Sequence, residues 1–256
     1  MRNILTIAQK ELRSYFVSPM AYVAIGFFVF IYGYFFVVSL NFMVRVSMQA
    51  GMMGGPQTIN INEYMMRPLL GNMAVVMLFL LPALTGRSYA EEKRSGTIEL
   101  LLSSPLTGPQ IILGKYLGAL ALFTLMLAVT LIHVGVLFIY GEPELGPILS
   151  GYLGLWLMGG AFISVGLLIS SMTKNQTVAV MGAFGTALML WIVSWIGDPS
   201  SGSTTTEVLA YLSILDHFDD FSKGVIDTKH LAYYLSFITF GLFLTARSVD
   251  SERWRG

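Results

Sequence analysis

Cysteine is absent from this 256-residue chain, which excludes disulfides, thiolate metal sites and thiol nucleophiles. Charge is scarce as well: 12% of residues are Asp, Glu, Lys or Arg, against roughly 25% in a soluble domain. The 15 bases match the 15 acids, so no cationic surplus marks nucleic acid as a partner. Only 3 histidines occur, and of these only His133 falls inside a long apolar run. Ion-coupled transport keeps ionisable groups within the membrane despite their cost; here neither a proton relay nor a charged filter is visible in the apolar runs. His133, about two turns from the outer end of its segment, reads as a neutral side chain packed between helices, with intramembrane catalysis as the weaker alternative. Lys115 reads as a base at a cytoplasmic helix end, free to snorkel.

What is abundant is apolar. Hydrophobic residues make up 55% of the chain and mean hydropathy is +0.69, more than a soluble core can bury. The chain therefore reads as an all-α integral membrane protein, one transmembrane domain over residues 1–256. Six apolar runs, at residues 20–42, 68–86, 110–140, 148–172, 176–196 and 231–246, lie near the ~20 residues that a spanning helix needs. The third is long enough to protrude, and Thr107-Gly-Pro-Gln110 gives it a capping-box start. The first run is about twice the length of a signal-peptide core, with no A-x-A-like site after it, so it is expected to stay in the mature protein. With the N-terminus inside, eleven Lys and Arg residues fall on inner segments and four on outer ones. The positive-inside rule then puts both termini in the cytoplasm.

Ahead of the first span, Ile4, Leu5, Ala8, Leu12, Tyr15 and Phe16 recur at helical spacing, with Thr6, Gln9, Lys10 and Arg13 opposite. Ser18-Pro19 breaks the pattern. Residues 1–19 read as an amphipathic helix lying in the inner interface. Between the first two spans, residues 44–67 are rich in Met and Gly and are expected to form a loop with little structure. Residues 197–230 open with a Ser/Thr/Gly linker. They then place Val208, Leu209, Leu212, Leu215, Phe218 and Phe221 on one face, predicting short helices that rest on or dip into the outer leaflet. The nearby Asp216, His217, Asp219, Asp220, Asp227 and His230 match no metal-ligand spacing and read as a solvated helix face. In the first span, Phe27, Phe28, Tyr32, Phe35 and Phe36 read as lipid-facing bulk, with the lining of a lipid-like path as the alternative.

The loop over residues 87–109 stands apart. Five of the 30 charged residues fall between Arg87 and Arg94, followed at once by an apolar turn too short to span a bilayer. A docking element that transmits force needs an apolar ridge and charged flanks. Ile98, Leu101 and Leu102 supply the first; Glu91, Glu92, Lys93, Arg94 and Glu99 supply the second. Gly96 permits a tight break ahead of Thr97, and Pro105 ends the element. The alternative is a loop whose bases only fix topology, and from the residues alone both readings stand. The chain carries no nucleotide site: Gly108 to Tyr116 approximates a P-loop but has one residue too many between its glycines and Tyr where Ser or Thr must reach Mg²⁺.

The string Ala90-Glu-Glu-Lys-Arg-Ser-Gly-Thr-Ile-Glu-Leu-Leu-Leu-Ser-Ser-Pro-Leu-Thr, followed by Ile112-Leu-Gly-Lys-Tyr-Leu-Gly-Ala119, resembles the coupling region of ABC-2-type transporter permeases. Gln9-Lys-Glu-Leu-Arg-Ser-Tyr-Phe-Val-Ser-Pro19 resembles the interfacial elbow helix of the same family. Ser222-Lys-Gly-Val-Ile-Asp-Thr228 resembles the segment before the last span in its gliding-motility-associated GldF-like branch. The resemblance covers nearly the whole chain in order. It implies that Glu91 to Pro105 contacts a nucleotide-binding ATPase, and that Lys10, Glu11, Leu12, Arg13, Tyr15 and Phe16 belong to the elbow helix beside it. It further implies a second permease subunit, identical or homologous, in a bacterial inner membrane, with extracytoplasmic accessory proteins as possible further partners. ATP and Mg²⁺ would be held by the partner subunit, and no cofactor by this chain. Small residues, among them Gly114, Gly118, Gly160, Ser164, Gly182 and Gly185, allow close helix approach, within the chain or between chains. The expected function is coupling a separate ATPase to export or extraction of a substrate. The rival is a non-transporting anchor that transmits ATPase strokes to outer machinery.

Overall fold

The six apolar runs form six helices of bilayer-crossing length. The computed structural model describes residues 2–52, 60–98, 106–196 and 211–253, and among the described residues every regular element is helical. Helix α1 (Arg2–Val17) precedes the first spanning helix α2 (Met20–Met52), and a π-helical turn (Asn62–Met66) leads into α3 (Arg67–Thr85). The short α4 (Ala90–Ser95) is followed by α5 (Gly108–Tyr140), α6 (Leu145–Met172) and α7 (Gln176–Ile196). An outer helix α8 (Ile214–Ser222) then turns into the last span, α9 (Thr228–Arg253).

The expected unstructured loop at residues 44–67 is corrected. Helix α2 runs on to Met52, because Met, Gln, Arg and Ala are good helix formers even where apolarity declines. Its 33 residues extend to about 50 Å, longer than the ~30 Å hydrocarbon core. The chain re-enters helix at Asn60, whose Oδ1 accepts the amides of Asn62 and Glu63 at 2.9 and 3.3 Å, satisfying two first-turn donors. Residues 53–59 lie outside the described part.

Helix α6 is the centre of the bundle. In its apolar window 78% of residues are buried, against 17% for α7; α3, α5, α7, α8 and α9 pack against α6, while α1 and α2 pack on α5. Small side chains make this possible. A Cβ at Gly159 would overlap the ring of Phe123, and one at Gly166 would overlap Thr85, so α5 and α3 approach α6 at backbone distance. In the first span, Phe28, Tyr32 and Phe36 are buried whereas Phe27 is exposed. The aromatic set is therefore split: one face of α2 belongs to the chain's own core, and only the other remains for lipid.

The start of α1 and the end of α9 lie at the same end of the bundle. Ser248 Oγ, near the end of α9, donates to the Ser171 carbonyl at 3.2 Å, and Asn3 of α1 lies 3.5 Å from Gln110 at the start of α5. At the opposite end Asn62 donates to the Glu144 carbonyl at 3.2 Å and Arg67 pairs with Asp219 at 2.7 Å.

Candidate functional site

Helix α4 is locally determined. Its first turn carries Glu91 and Glu92 and its last turn Lys93 and Arg94, the order that suits the helix dipole. It stops at Gly96, whose φ of +72° is left-handed, a conformation that costs any residue with a Cβ. The break expected at Gly96 is present.

Tertiary contacts then fix how α4 sits. Ser170 Oγ, at the end of α6, accepts the backbone amides of Tyr89 and Ala90 at 2.9 and 3.0 Å. These are two of the donors that a helix start leaves unpaired. Lys93 is buried and its ammonium donates to the Ser171 carbonyl.

The centre of the site is Lys115 on α5. Its side chain is 2% exposed, so the expected snorkelling is corrected. Its ammonium donates to Glu11 Oε1 of α1 at 3.0 Å and to Glu92 Oε1 of α4 at 2.7 Å. A third bond goes to the Ser88 carbonyl at 3.3 Å, and the Tyr89 ring lies 5.1 Å below. Burying an ammonium costs several kcal/mol, which two carboxylates, a carbonyl and an aromatic face offset. The physical reason that it does not snorkel is the floor laid over it by α1. That helix seats on Gly114 and Gly118, where added Cβ atoms would stand 2.5 Å from Ile7 and 2.7 Å from the Glu11 methylene.

Thus one cation joins three elements that are far apart in sequence. Beside it opens a cleft of about 260 Å³ lined by Lys10, Glu11, Ser14 and Tyr15 of α1, by Arg87, Ser88, Glu91, Glu92, Ser95 and Thr97, and by Lys115.

The elbow residues divide. Lys10 and Arg13 face outward; Tyr15 is buried; Glu11, Leu12 and Phe16 are half-buried. The apolar face is rotated from its expected position: Ile7 turns inward and Leu5 is 64% exposed.

In the loop, Glu91, Arg94, Gly96 and Thr97 are exposed, whereas Glu92 and Lys93 turn into the chain's own interior. Ile98 is half-buried against the core. Glu99, Leu101, Leu102 and Pro105 lie outside the described residues. Glu92 and Lys93, expected as docking flanks, are engaged within the chain, and Ser88, Ser170 and Ser171, which no motif marks, are their neighbours there. The only available signal was the pair of hydroxyls at the end of a glycine-rich span.

Of the small residues, Gly114 and Gly118 seat α1, Gly160 meets Tyr116 and Ile238, Gly182 meets Ile169, and Ser164 meets Gly241. All of these are contacts within the chain. His133 lies between Tyr32 and Phe36, with ring centroids at 5.2 and 5.4 Å, as packing between helices requires.

The reading of the outer residues is corrected in part. Asp216 and Asp227 are exposed, as a solvated face predicts, but His217 and His230 are buried. The inward face of α8 is Ile214, His217, Phe218 and Phe221, and it packs on α6. Leu212 is 49% exposed, while Val208 and Leu209 lie outside the described residues. Asp219 is engaged by Arg67 at 2.7 Å and Lys223 at 2.6 Å. Burial pushes its carboxyl up, but the bonds from Lys223 and Arg67 outweigh this and hold it below the usual range.

A family model described as "ABC-2 family transporter protein" matches residues 5–246. The "Probable multidrug ABC transporter permease YbhR" of Escherichia coli (strain K12) is 30% identical over 142 residues, covering 55% of this chain and 38% of that protein. The "Probable multidrug ABC transporter permease YbhS" of the same organism is 33% identical over 129 residues, covering 47% of this chain and 32% of that protein. The matched stretch thus spans about a third of the length of these relatives.

Proposed function

The chain belongs to the ABC-2 family of transporter proteins, and from that premise we propose that a separate ATP-binding subunit docks beside α4 and drives export or extraction of a substrate through it. The observation that carries this reading is the ionic joint at Lys115. A push delivered to an ordinary loop would be absorbed by bending. A push on the exposed Glu91, Arg94 and Thr97, and on the neighbouring Glu99, Leu101, Leu102 and Pro105, meets a helix tied to α1 and α5 through Lys115 and to α6 through Ser170 and Ser171. The elements then tilt as one body, and access between two permease halves changes. ATP and Mg²⁺ belong to the partner. A second permease, a copy or a homologue, completes the path. Among the described residues the end carrying α4 also carries ten of the bases, against four at the other, which makes it the cytoplasmic end, with both termini cytoplasmic.

We assign the chain to the GldF-like branch on the segment Ser222 to Thr228. The names of the two relatives make drug-like amphipathic compounds the first substrates to test.

The second reading, transmission of force without transport, is favoured by the continuity of α6. One of its ends holds α4 through Ser170, and the other holds α8, where Ser150 Oγ donates to the Phe221 carbonyl at 2.8 Å.

A mild-detergent pull-down of the tagged chain, beside a Leu101→Asp variant, tests the docking. A nucleotide-binding ATPase recovered with the unaltered chain and lost with the variant supports it. Absence of any ATPase even after cross-linking would sink it. Reconstituted vesicles then separate the two readings, because only a transporter moves a solute or lipid.

A further inference from the structure

We propose that His217 and His230 hold one proton between their Nδ1 atoms, and that this shared proton latches the outer helix α8 to the start of the last span. Hydrogen-bond roles carry the inference. The two residues are 2% and 4% exposed, and their Nδ1 atoms lie 2.6 Å apart. The other nitrogen of each ring faces an oxygen that only accepts. His217 Nε2 is 3.0 Å from the Tyr211 carbonyl, and His230 Nε2 is 2.9 Å from the Asp220 carboxylate. Both Nε2 atoms must therefore carry hydrogen. A neutral imidazole has one N–H, so two neutral rings would point bare lone pairs at each other across 2.6 Å. A hydrogen between them removes the conflict, and the pair then carries a single positive charge, opposed by Asp220.

A metal ion does not fit in its place. Two metal–nitrogen bonds of about 2.0 Å at a tetrahedral angle need more than 3 Å between the nitrogens. No group of three metal-binding side chains occurs among the described residues.

The surroundings favour one proton and oppose a second. Tyr233 stacks on His217 with centroids 3.8 Å apart, and Tyr211 and Tyr234 stand edge-on. From α8 the facing charges are Asp216 and Asp220, with Lys223 reaching Asp219 at 2.6 Å and Asp220 at 3.4 Å; from α9 the facing charge is Lys229. Arg67 of α3 reaches Asp219. Helix α6 presents Gly151, Gly154 and Ser150 to Phe221, none of which titrates.

Burial pushes His217 below the ordinary histidine value, against the pull of the Tyr211 carbonyl. A histidine lowered in this way stabilises the fold above its ordinary value, and that stability is lost as pH falls through the lowered one. In acid, two cationic rings face each other and the latch parts. The bend at Gly224, with φ of +93°, is the hinge between the two helices. Because Phe221 of α8 grips α6, outer acidity acts on the span that also holds α4.

The test is ¹⁵N spectroscopy of the full chain labelled at histidine, in detergent, with His133→Gln removing the third signal. Near neutral pH one ring of the pair should be protonated at both nitrogens, with scalar coupling between the two Nδ1 atoms. The coupling should vanish on acidification, in step with a fall in thermal midpoint. His217→Phe keeps the stack on Tyr233 but removes the acceptor, and should abolish that acid-dependent fall. Two neutral rings without coupling, or parallel midpoint profiles for the chain and His217→Phe, would overturn the proposal. Should His217→Phe fail to fold, the presence or absence of coupling in the unaltered chain decides alone.

Discussion

Replacing Lys115 with Met removes the one charge that Glu11 and Glu92 share while keeping most of the side-chain volume. The two carboxylates, 15% and 17% exposed, each lie within 3.0 Å of the ammonium, so on its removal they face each other across less than ~6 Å, where two like charges at an effective dielectric near 20 repel by about 3 kcal/mol. Removing one partner of a buried ion pair typically costs about 3–5 kcal/mol, so the two estimates agree at the lower end. Proton uptake by one carboxylate caps the loss. The strain has a nearby outlet, because α1 can lift off α5 without unfolding the bundle. Local opening should therefore rise by about two decades, at roughly 1.4 kcal/mol per decade. The chain's lack of cysteine makes this measurable. A single cysteine at Ile7, which is 8% exposed, should react with a maleimide about 100-fold faster in Lys115→Met, for ~3 kcal/mol of lost closure. The triple variant Glu11→Gln, Glu92→Gln, Lys115→Met leaves no charge in the joint and should return close to the starting rate, since neutral replacements of buried ion groups are often tolerated. A rate in Lys115→Met within threefold of the starting one would refute the joint. So would a triple variant as fast as the single one.

Other outcomes follow from the same contacts. Ser170→Ala deprives the Tyr89 and Ala90 amides of their acceptor; about 1–3 kcal/mol should be lost, read as faster hydrogen exchange at those two amides. Gly96→Ala forces a Cβ into a left-handed residue and should lower stability by about 1–2 kcal/mol, checked by thermal unfolding beside Ser95→Ala. The Arg67–Asp219 pair should respond weakly. Asp219 is held below the usual carboxyl range, so the pair's contribution is present above the ordinary value near 3.9 and is lost only in stronger acid. Arg67→Gln should therefore change the thermal midpoint by the same small amount at pH 5 and pH 8, and a large or pH-dependent change would count against the assignment.

Apolar runs of membrane length are a one-dimensional signal, and the chain's sequence by itself determined the six spans, the start of α5 at Thr107 and the break at Gly96. Each follows from local chemistry: hydrocarbon thickness, capping and backbone freedom. The structure alone decided which polar side chains turn inward, because that depends on what a distant segment lays over them. Glu11, Glu92 and Lys115 each read as a surface charge until α1 closes over Gly114 and Gly118 and makes them one buried joint. His217 and His230 likewise read as a wet face until α8 folds against the start of α9. Helix α2 outran its apolar stretch because helix propensity persists where hydropathy fades. A charge's environment is a property of the packed bundle, and no spacing along the chain encodes it.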